Sequence, residues 1–316
     1  MPITLPPEVT ATVRTVFGER GEHWLADLPR MVADRCRAWG LEVIGESFEG
    51  GTHSFAAPVR REDGTLAVLK IPVVDEEDLG EVAALHWYDG DGAVRLFEYD
   101  PGSGAMLLEW AVPGTPLVPQ PEIPLEGLPE HRDRVRLACA LYRRLRRTPG
   151  ELPEGFPALP LVADIVSGWA HRLADAPPVT YLDDALLGRA RDWCAALAEP
   201  DGPLLIVNRD THLGNIVAAE REPWLLIDPK GYLGEAAFDA GFLIMKQVET
   251  DPDPALVPRL LAATADALEV DRGRARGWAL MRAVEEIIWS VDDGRPADAA
   301  RYRQVAGALS GANECH

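Results

Sequence analysis

The stretch from Leu204 to Gly231 holds the residues best suited to chemistry. An apolar run, Leu204-Leu205-Ile206-Val207, leads into Asn208-Arg209-Asp210-Thr211-His212-Leu213-Gly214-Asn215. After a turn, Trp224-Leu225-Leu226-Ile227 leads into Asp228-Pro229-Lys230. Asn215 follows Asp210 by five residues, and Asp228 follows Asn215 by thirteen. Two carboxylates and one amide oxygen are thereby delivered to strand ends around a short hairpin. Phosphoryl transfer from a metal–nucleotide needs such a set. One carboxylate, Asp210, would take the proton of an attacking hydroxyl, and Asn215 with Asp228 would offer the hard oxygen ligands that Mg²⁺ prefers. Any one of these residues alone is as readily an ordinary turn residue; their order and spacing together argue for chemistry.

A second group lies upstream. Leu66-Ala67-Val68-Leu69-Lys70 reads as an apolar strand ending in lysine, and Glu81 falls eleven residues later in a helical stretch. A strand lysine paired with a helix glutamate is how kinase-type sites hold nucleotide phosphates. Taken alone, an edge lysine reads equally well. Scarcity adds weight, because only Lys70, Lys230 and Lys246 are lysines among 31 basic residues. A chain that uses arginine for generic positive charge keeps lysine where a compact ammonium is wanted. Lys230 is placed to reach either the phosphate region or a neighbouring carboxylate, whereas Lys246 reads as a solvated or a helix-edge residue.

The elements that must position these groups follow from periodicity. Leu25, Leu28, Val32, Cys36 and Trp39 recur at helical spacing, which predicts a helix over about Glu22 to Trp39. Leu41–Ile44, Ser54–Val59 and Leu66–Ile71 predict an antiparallel meander, with an Asp-Gly turn before the third strand. Asp75 to Asp78 place four acids ahead of an amphipathic stretch, Leu79 to Tyr88. Val94–Glu98 and Ala105–Trp110 predict two more strands. Pro113, Pro116, Pro119, Pro121, Pro124 and Pro129 mark a loop between lobes. Beyond it, helices are predicted over 131–147, 161–176, 183–198, 256–267 and 272–291, interrupted by the β-rich stretch 203–227. Trp278 and Trp289 read as core. Glu285, Glu286, Asp292 and Asp293 read as a solvated helix end, with an acidic substrate surface as the other reading. The fold class expected is α+β, with a small β-rich lobe over 1–111 and a larger, mostly helical lobe over 112–316.

Composition removes several classes. The 316 residues carry a net charge of −20, which argues against nucleic acid as main partner and permits a cationic small molecule. No run approaches the ~18 apolar residues of a membrane span. Met1 to Leu28 scatters charges and lacks the apolar core of a signal peptide, and the four cysteines form no C-x-x-C pair. Free thiols and a cytoplasmic location are expected. No P-loop, H-E-x-x-H or G-x-S-x-G motif occurs.

The chain resembles the aminoglycoside phosphotransferases of protein-kinase-like fold, and within them the streptomycin 6-phosphotransferase and hydroxyurea phosphotransferase branch. The resemblance runs from about Trp39 to Arg301. It is carried by Asp210-Thr211-His212-Leu213-Gly214-Asn215, by Ala219 to Gly231, by Gly234 with Phe238-Asp239, and by Glu81 with Asp89 to Leu96. It implies ATP and Mg²⁺ as cofactors and a small hydroxylated acceptor, first of all streptomycin at its 6-hydroxyl; the other readings are hydroxyurea or another small hydroxylated metabolite as acceptor, or a nucleotide-binding homologue impaired in catalysis. It implies Asp210 as catalytic base, Asn215 and Asp228 as metal ligands, and Lys70 with Glu81 at the phosphates. Glu109, Trp110 and Ala111 would form the hinge whose backbone meets adenine, and Gly50, Gly51, Thr52 and Ser54 would lie in the loop over the phosphates. Asp239 would tie loop to helix, and His212 would fix the catalytic loop. Members usually carry His two residues before the base. Here Asn208 stands there, and Arg209 sets a cation beside the base, able to favour its ionised form or to reach substrate or phosphate.

Overall fold

A computed structural model of the chain describes residues 5–48, 53–73, 79–118, 130–175 and 182–311. In chain order these form α1 (Pro7–Trp39), β1 (Leu41–Val43), β2 (Ser54–Arg61), β3 (Leu66–Pro72), α2 (Leu79–Tyr88), β4 (Leu96–Asp100), β5 (Ala105–Glu109) and β6 (Pro113–Pro116). Then come α3 (His131–Leu145), α4 (Val162–Asp175), α5 (Asp184–Leu197), β7 (Leu205–Asn208), β8 (Ile216–Ala219), β9 (Trp224–Leu226) and β10 (Gly231–Gly234). The chain ends in α6 (Phe238–Thr250), α7 (Val257–Leu268), α8 (Arg272–Asp292) and α9 (Pro296–Gly311).

Contacts divide the chain into two compact units. The first holds 1–115, 151–158 and 217–227; the second holds 116–150, 159–216 and 228–316. A single cut at 111/112 misses two of these segments. Residues 217–227 join the first unit because backbone bonds tie Leu226 to Gly92 and Val94, and Phe156 joins it by packing on His86 and Tyr99.

The first unit is built on an antiparallel sheet of order β1-β2-β3-β5-β4. The β2–β3 turn is made by Asp63 and Gly64: the Asp63 carboxylate accepts from the Thr65 N–H at 2.8 Å, and Gly64 takes φ 84°, open to a residue without Cβ. Ala67, Leu69 and Ile71 of β3 pack with Phe55, Ala57 and Val59 of β2 against Val13, Phe17, Trp24, Leu28 and Val32 of α1. The period of two then turns Val68 and Lys70 to the opposite face. The predicted helix up to Trp39 is present, but it is the later part of a longer one. Helix α1 begins at Pro7 and is kinked at Gly18, where φ is 53° and ψ −129°.

The second unit is mostly helical. Its small ladder pairs β7 with β10 antiparallel, Asn208 opposite Gly231. Helices α6 and α8 cross closely at Gly241, where a Cβ would come within 3.1 Å of the Trp278 backbone. Trp278 is buried as expected, whereas Trp289 is 37% exposed. Two helices, α6 and α9, are not foreshadowed by the sequence pattern. α6 buries Phe238, Ala240, Leu243, Ile244, Met245 and Val248, nearly all round, which blurs the helical period. α9 is built largely from Ala, Gly and polar residues and has little amphipathic contrast. Asp75 to Asp78 and Pro119, Pro121, Pro124 and Pro129 lie outside the described residues. The α+β class holds in both units.

Candidate active site

In the first unit, Lys70 lies on a strand bonded on both sides, opposite Ala56 of β2 and Met106 of β5. Its Nζ donates to Glu81 Oε1 at 2.7 Å and Oε2 at 2.6 Å. Lys70 is 8% exposed and Glu81 is fully buried in the first turn of α2. A pair so shielded is felt far more strongly than one in water. Ser54 opens β2 opposite Pro72. Gly50, Gly51 and Thr52, expected over the phosphates, lie outside the described residues.

Glu109 ends β5, Trp110 meets Phe48 edge-on with ring centroids 5.9 Å apart, and Ala111 is buried. The Glu109 side chain is engaged by Arg221, whose Nε and NH2 each donate to one carboxylate oxygen at 2.8 Å. The same guanidinium donates to the carbonyls of Gly90 and Ala93. Nothing in the sequence singles out Arg221 for this role. Its partner is 112 residues away, so no local pattern marks it.

In the second unit, β7 and β10 deliver their flanking loops to one end of the ladder. Asp210 follows the last residue of β7 by two, and Asp228 precedes the first residue of β10 by three. The Arg209 N–H donates to the Lys230 carbonyl at 2.9 Å, which ties the two loops together. Asp228 adopts φ 47°, a left-handed conformation that costs a non-glycine residue roughly 1–2 kcal/mol. Lys230 Nζ lies 3.5 Å from Asp228 Oδ1, so the carboxylate reading of that lysine is the one seen here.

Asp210 uses its two oxygens differently. Oδ2 accepts from Asn215 Nδ2 at 3.3 Å and faces His212 Nε2 at 3.5 Å. Oδ1 is shielded from solvent and has no donor among the described residues. His212 Nδ1 accepts from the Gly214 N–H at 2.9 Å, which leaves the ring proton on Nε2, on the side of Asp210. Because Asn215 turns its NH₂ to Asp210, its amide oxygen is left for another partner.

Neighbouring residues pin this loop. Asp239, buried in the first turn of α6, accepts from the Asn208 N–H at 2.7 Å and from Arg146 Nε at 2.7 Å, and its carbonyl accepts from Thr211 Oγ1. This is the loop-to-helix tie expected of it. Burial pushes the Asp239 carboxyl up, against the pull of Arg146 and the Asn208 amide.

Arg209 goes elsewhere than expected. It is 9% exposed, and its NH2 donates to Glu285 Oε1 at 2.7 Å. Glu285, read as part of a solvated helix end, is 4% exposed and belongs to a buried ion pair. Asp292 and Asp293 do sit at the helix end, paired with Arg172 and Arg295. Nearby, burial raises the Glu286 carboxyl above its ordinary value, opposed by Arg282 and Lys246, and pushes the Tyr302 hydroxyl up to about 12. The thiols of Cys139 and Cys194 are pushed by burial up to about 12 and about 11, as for inert core cysteines.

No cluster of three or more His, Cys, Asp or Glu side chains that could hold a metal occurs among the described residues. Likewise, no described helix is long and apolar enough to cross a membrane.

Known proteins resemble this chain over most of its length. Residues 39–294 match the family described as aminoglycoside/hydroxyurea antibiotic resistance kinase. A hydroxyurea phosphotransferase of Kitasatospora aureofaciens is 36% identical over 98% of this chain and 86% of its own length. A streptomycin 6-kinase of Streptomyces griseus is 32% identical over 98% of this chain and 97% of its own. Among solved structures, a choline kinase of Streptococcus pneumoniae superposes with a TM-score of 0.59 at 12% identity, covering 90% of this chain and 99% of that one. A thermostable aminoglycoside phosphotransferase APH(4)-Ia in ternary complex with ADP and hygromycin B gives 0.57 at 14% identity, covering 89% and 98%. At these identities the structures speak for the protein-kinase-like α+β fold alone. The family match and the two full-length relatives say more: the chain belongs to the aminoglycoside/hydroxyurea antibiotic resistance kinase family and is a small-molecule kinase.

Proposed function

We propose that this kinase moves the γ-phosphate of ATP to a hydroxyl of an aminoglycoside, with the 6-hydroxyl of streptomycin as first candidate, and thereby confers resistance in the cytoplasm. The observation that carries the reading is the asymmetry of Asp210. Its Oδ2 is held by Asn215 and faces His212, while Oδ1 has no donor among the described residues. The Asp210 side chain is 30% exposed, so with Oδ1 shielded its open face is the Oδ2 side, where an acceptor hydroxyl can meet it. The hydroxyl proton passes to Oδ2, the oxygen forms its bond to the γ-phosphorus, and the bond to the β,γ-bridging oxygen breaks to release ADP.

The remaining roles follow the chemistry of each group. Lys70, held in one direction by Glu81, would contact the α- and β-phosphates. Glu109, Trp110 and Ala111 would present backbone to adenine, with Gly50, Gly51, Thr52 and Ser54 over the phosphates. The free amide oxygen of Asn215 and the carboxylate of Asp228 are hard donors that fit Mg²⁺. Two protein ligands suit an ion that keeps waters and takes phosphate oxygens. When bound, the ion would neutralise charge on the phosphates. Lys230 would hold Asp228 in place, and His212 would hold the loop.

A second acceptor has a specific observation in its favour: the relative at 36% identity is a hydroxyurea phosphotransferase. One experiment separates the two. The protein is incubated with ATP and Mg²⁺ against streptomycin, hydroxyurea and simple amino sugars, and phosphorylated product is followed by ³¹P NMR. Turnover of streptomycin supports the first reading. Turnover of hydroxyurea alone replaces it with the second. ATP binding with no turnover across the panel removes both.

A further inference from the structure

We propose that Glu285 is a positioning residue for the catalytic loop and acts through Arg209; this rests on the reading of Asp210 as the base. Glu285 lies on α8, 76 residues after Arg209, yet its carboxylate is where three elements converge. Oε1 accepts from Arg209 NH2 at 2.7 Å and from Trp169 Nε1 of α4 at 2.9 Å. Oε2 accepts from Arg282 NH1, one turn earlier on α8. All four side chains are buried, between 4% and 9% exposed.

Arg209 is held at three points. Its N–H bonds the Lys230 carbonyl, NH2 bonds Glu285, and NH1 donates to the Tyr232 hydroxyl of β10 at 3.3 Å. Its guanidinium also lies 5.2 Å from the Trp289 ring centre, and Arg282 lies 5.8 Å from the same ring. On the other side of the base, Thr211 is fixed through the Asp239 carbonyl. Asp210 is therefore suspended between two anchored neighbours, one tied to α6 and the other to α8. A carboxylate that must meet a hydroxyl within hydrogen-bond reach needs its backbone held in this way.

Charge gives Glu285 a second task. Two guanidinium groups share this one carboxylate, with Glu286 acting on Arg282 from its flank. Glu285 thus commits the Arg209 cation away from the base. This accounts for an arginine directly before the base in a loop that elsewhere depends on backbone bonds.

The test uses the full chain with ATP and whichever panel acceptor turns over. Glu285→Gln, Arg209→Met, Arg209→Lys and the double variant Arg209→Met/Glu285→Gln are compared with Asp210→Asn for kcat, both KM values and melting temperature. We expect Glu285→Gln and Arg209→Met each to lower kcat about ten-fold or more with KM for ATP within about three-fold, and the double variant to be no worse than the worse single one. Arg209→Lys, which keeps the charge, should recover a large part of kcat. Unchanged kcat in the single variants, additive losses, or loss of melting temperature at full kcat would each overturn the proposal. If Glu285→Gln fails to fold, the Lys and Met variants at position 209 still decide it: equal kcat in both removes the role of the ion pair. An active Asp210→Asn is a separate outcome and would instead remove the base assignment.

Discussion

Lys70 donates from Nζ to both carboxylate oxygens of Glu81, and both side chains are buried. Such a pair offers little net stability, but breaking it by removing one partner is costly. Lys70→Met strips Glu81 of two charge-assisted bonds and should destabilise the protein by about 3 kcal/mol or more. Lys70→Met combined with Glu81→Leu should recover most of that loss, because no charge is left to be desolvated. Activity should not recover, falling about 10²-fold or more in both, if Lys70 serves the phosphates as proposed. Denaturant midpoints and initial rates on the same preparations check this. Rescue of activity along with stability would show that Lys70 serves the fold alone.

The sidedness of Asp210 gives a second expectation. Asp210→Ala should cost roughly 10²–10⁴ in turnover with little change in stability. His212→Ala removes the acceptor that caps the Gly214 N–H and should cost about 1 kcal/mol. His212→Asn can still accept from Gly214, as Asn does in turns, so it should restore stability. It presents no ring N–H to Asp210 Oδ2, so turnover should stay below that of the parent protein. Equal turnover in the Asn variant and the parent would reduce His212 to a cap.

Much of this was legible in the sequence because the informative signals are local. The apolar strand ending at Lys70, the Asp63-Gly64 turn and the Asp210-to-Asn215 spacing each lie within a few residues. Contacts that close over long separations left no such mark. Arg221 reaches Glu109 across 112 residues, and Arg209 reaches Glu285 across 76. Arg221 looks like one more surface charge in a chain rich in arginine, and Arg209, singled out for its place beside the base, carries no local sign of its distant partner. Glu285 misled for a related reason: beside Glu286 and just ahead of Asp292 and Asp293 it resembles a solvated end. Only the packing of α8 against α4 and the loop after β7 buries it. α6 was hidden by the reverse effect: from Phe238 to Met245 every residue but Phe242 is buried, so its first two turns show no polar face to set the period.

Arg221 is the clearest test of those long-range ties. Its guanidinium grips both oxygens of Glu109 and the carbonyls of Gly90 and Ala93. A planar fork suits this geometry and an ammonium does not. Arg221→Lys should therefore behave as a loss variant, destabilising by about 2 kcal/mol. If Glu109 begins the adenine-contacting hinge, KM for ATP should also rise several-fold while KM for the acceptor stays put. A Lys variant with parent stability would mean that the bidentate geometry contributes nothing here.

Glu286 carries a pH dependence whose sign can be worked out. Burial raises its carboxyl in the folded protein, with Glu285 and Glu249 acting in the same direction and Arg282 and Lys246 against it. The folded state therefore holds this proton to higher pH than the unfolded chain does. Its contribution to stability is fully present below the unfolded value and is lost as pH rises through the folded one. Glu286→Gln removes the slope. Since water reaches part of the side chain, the variant should gain no more than about 1 kcal/mol at pH 7, and should match the parent near pH 4. Urea midpoints at the two pH values provide the check. A variant weaker than the parent at pH 7 would mean that Arg282 and Lys246 outweigh burial, and that the charged form is the one the fold favours.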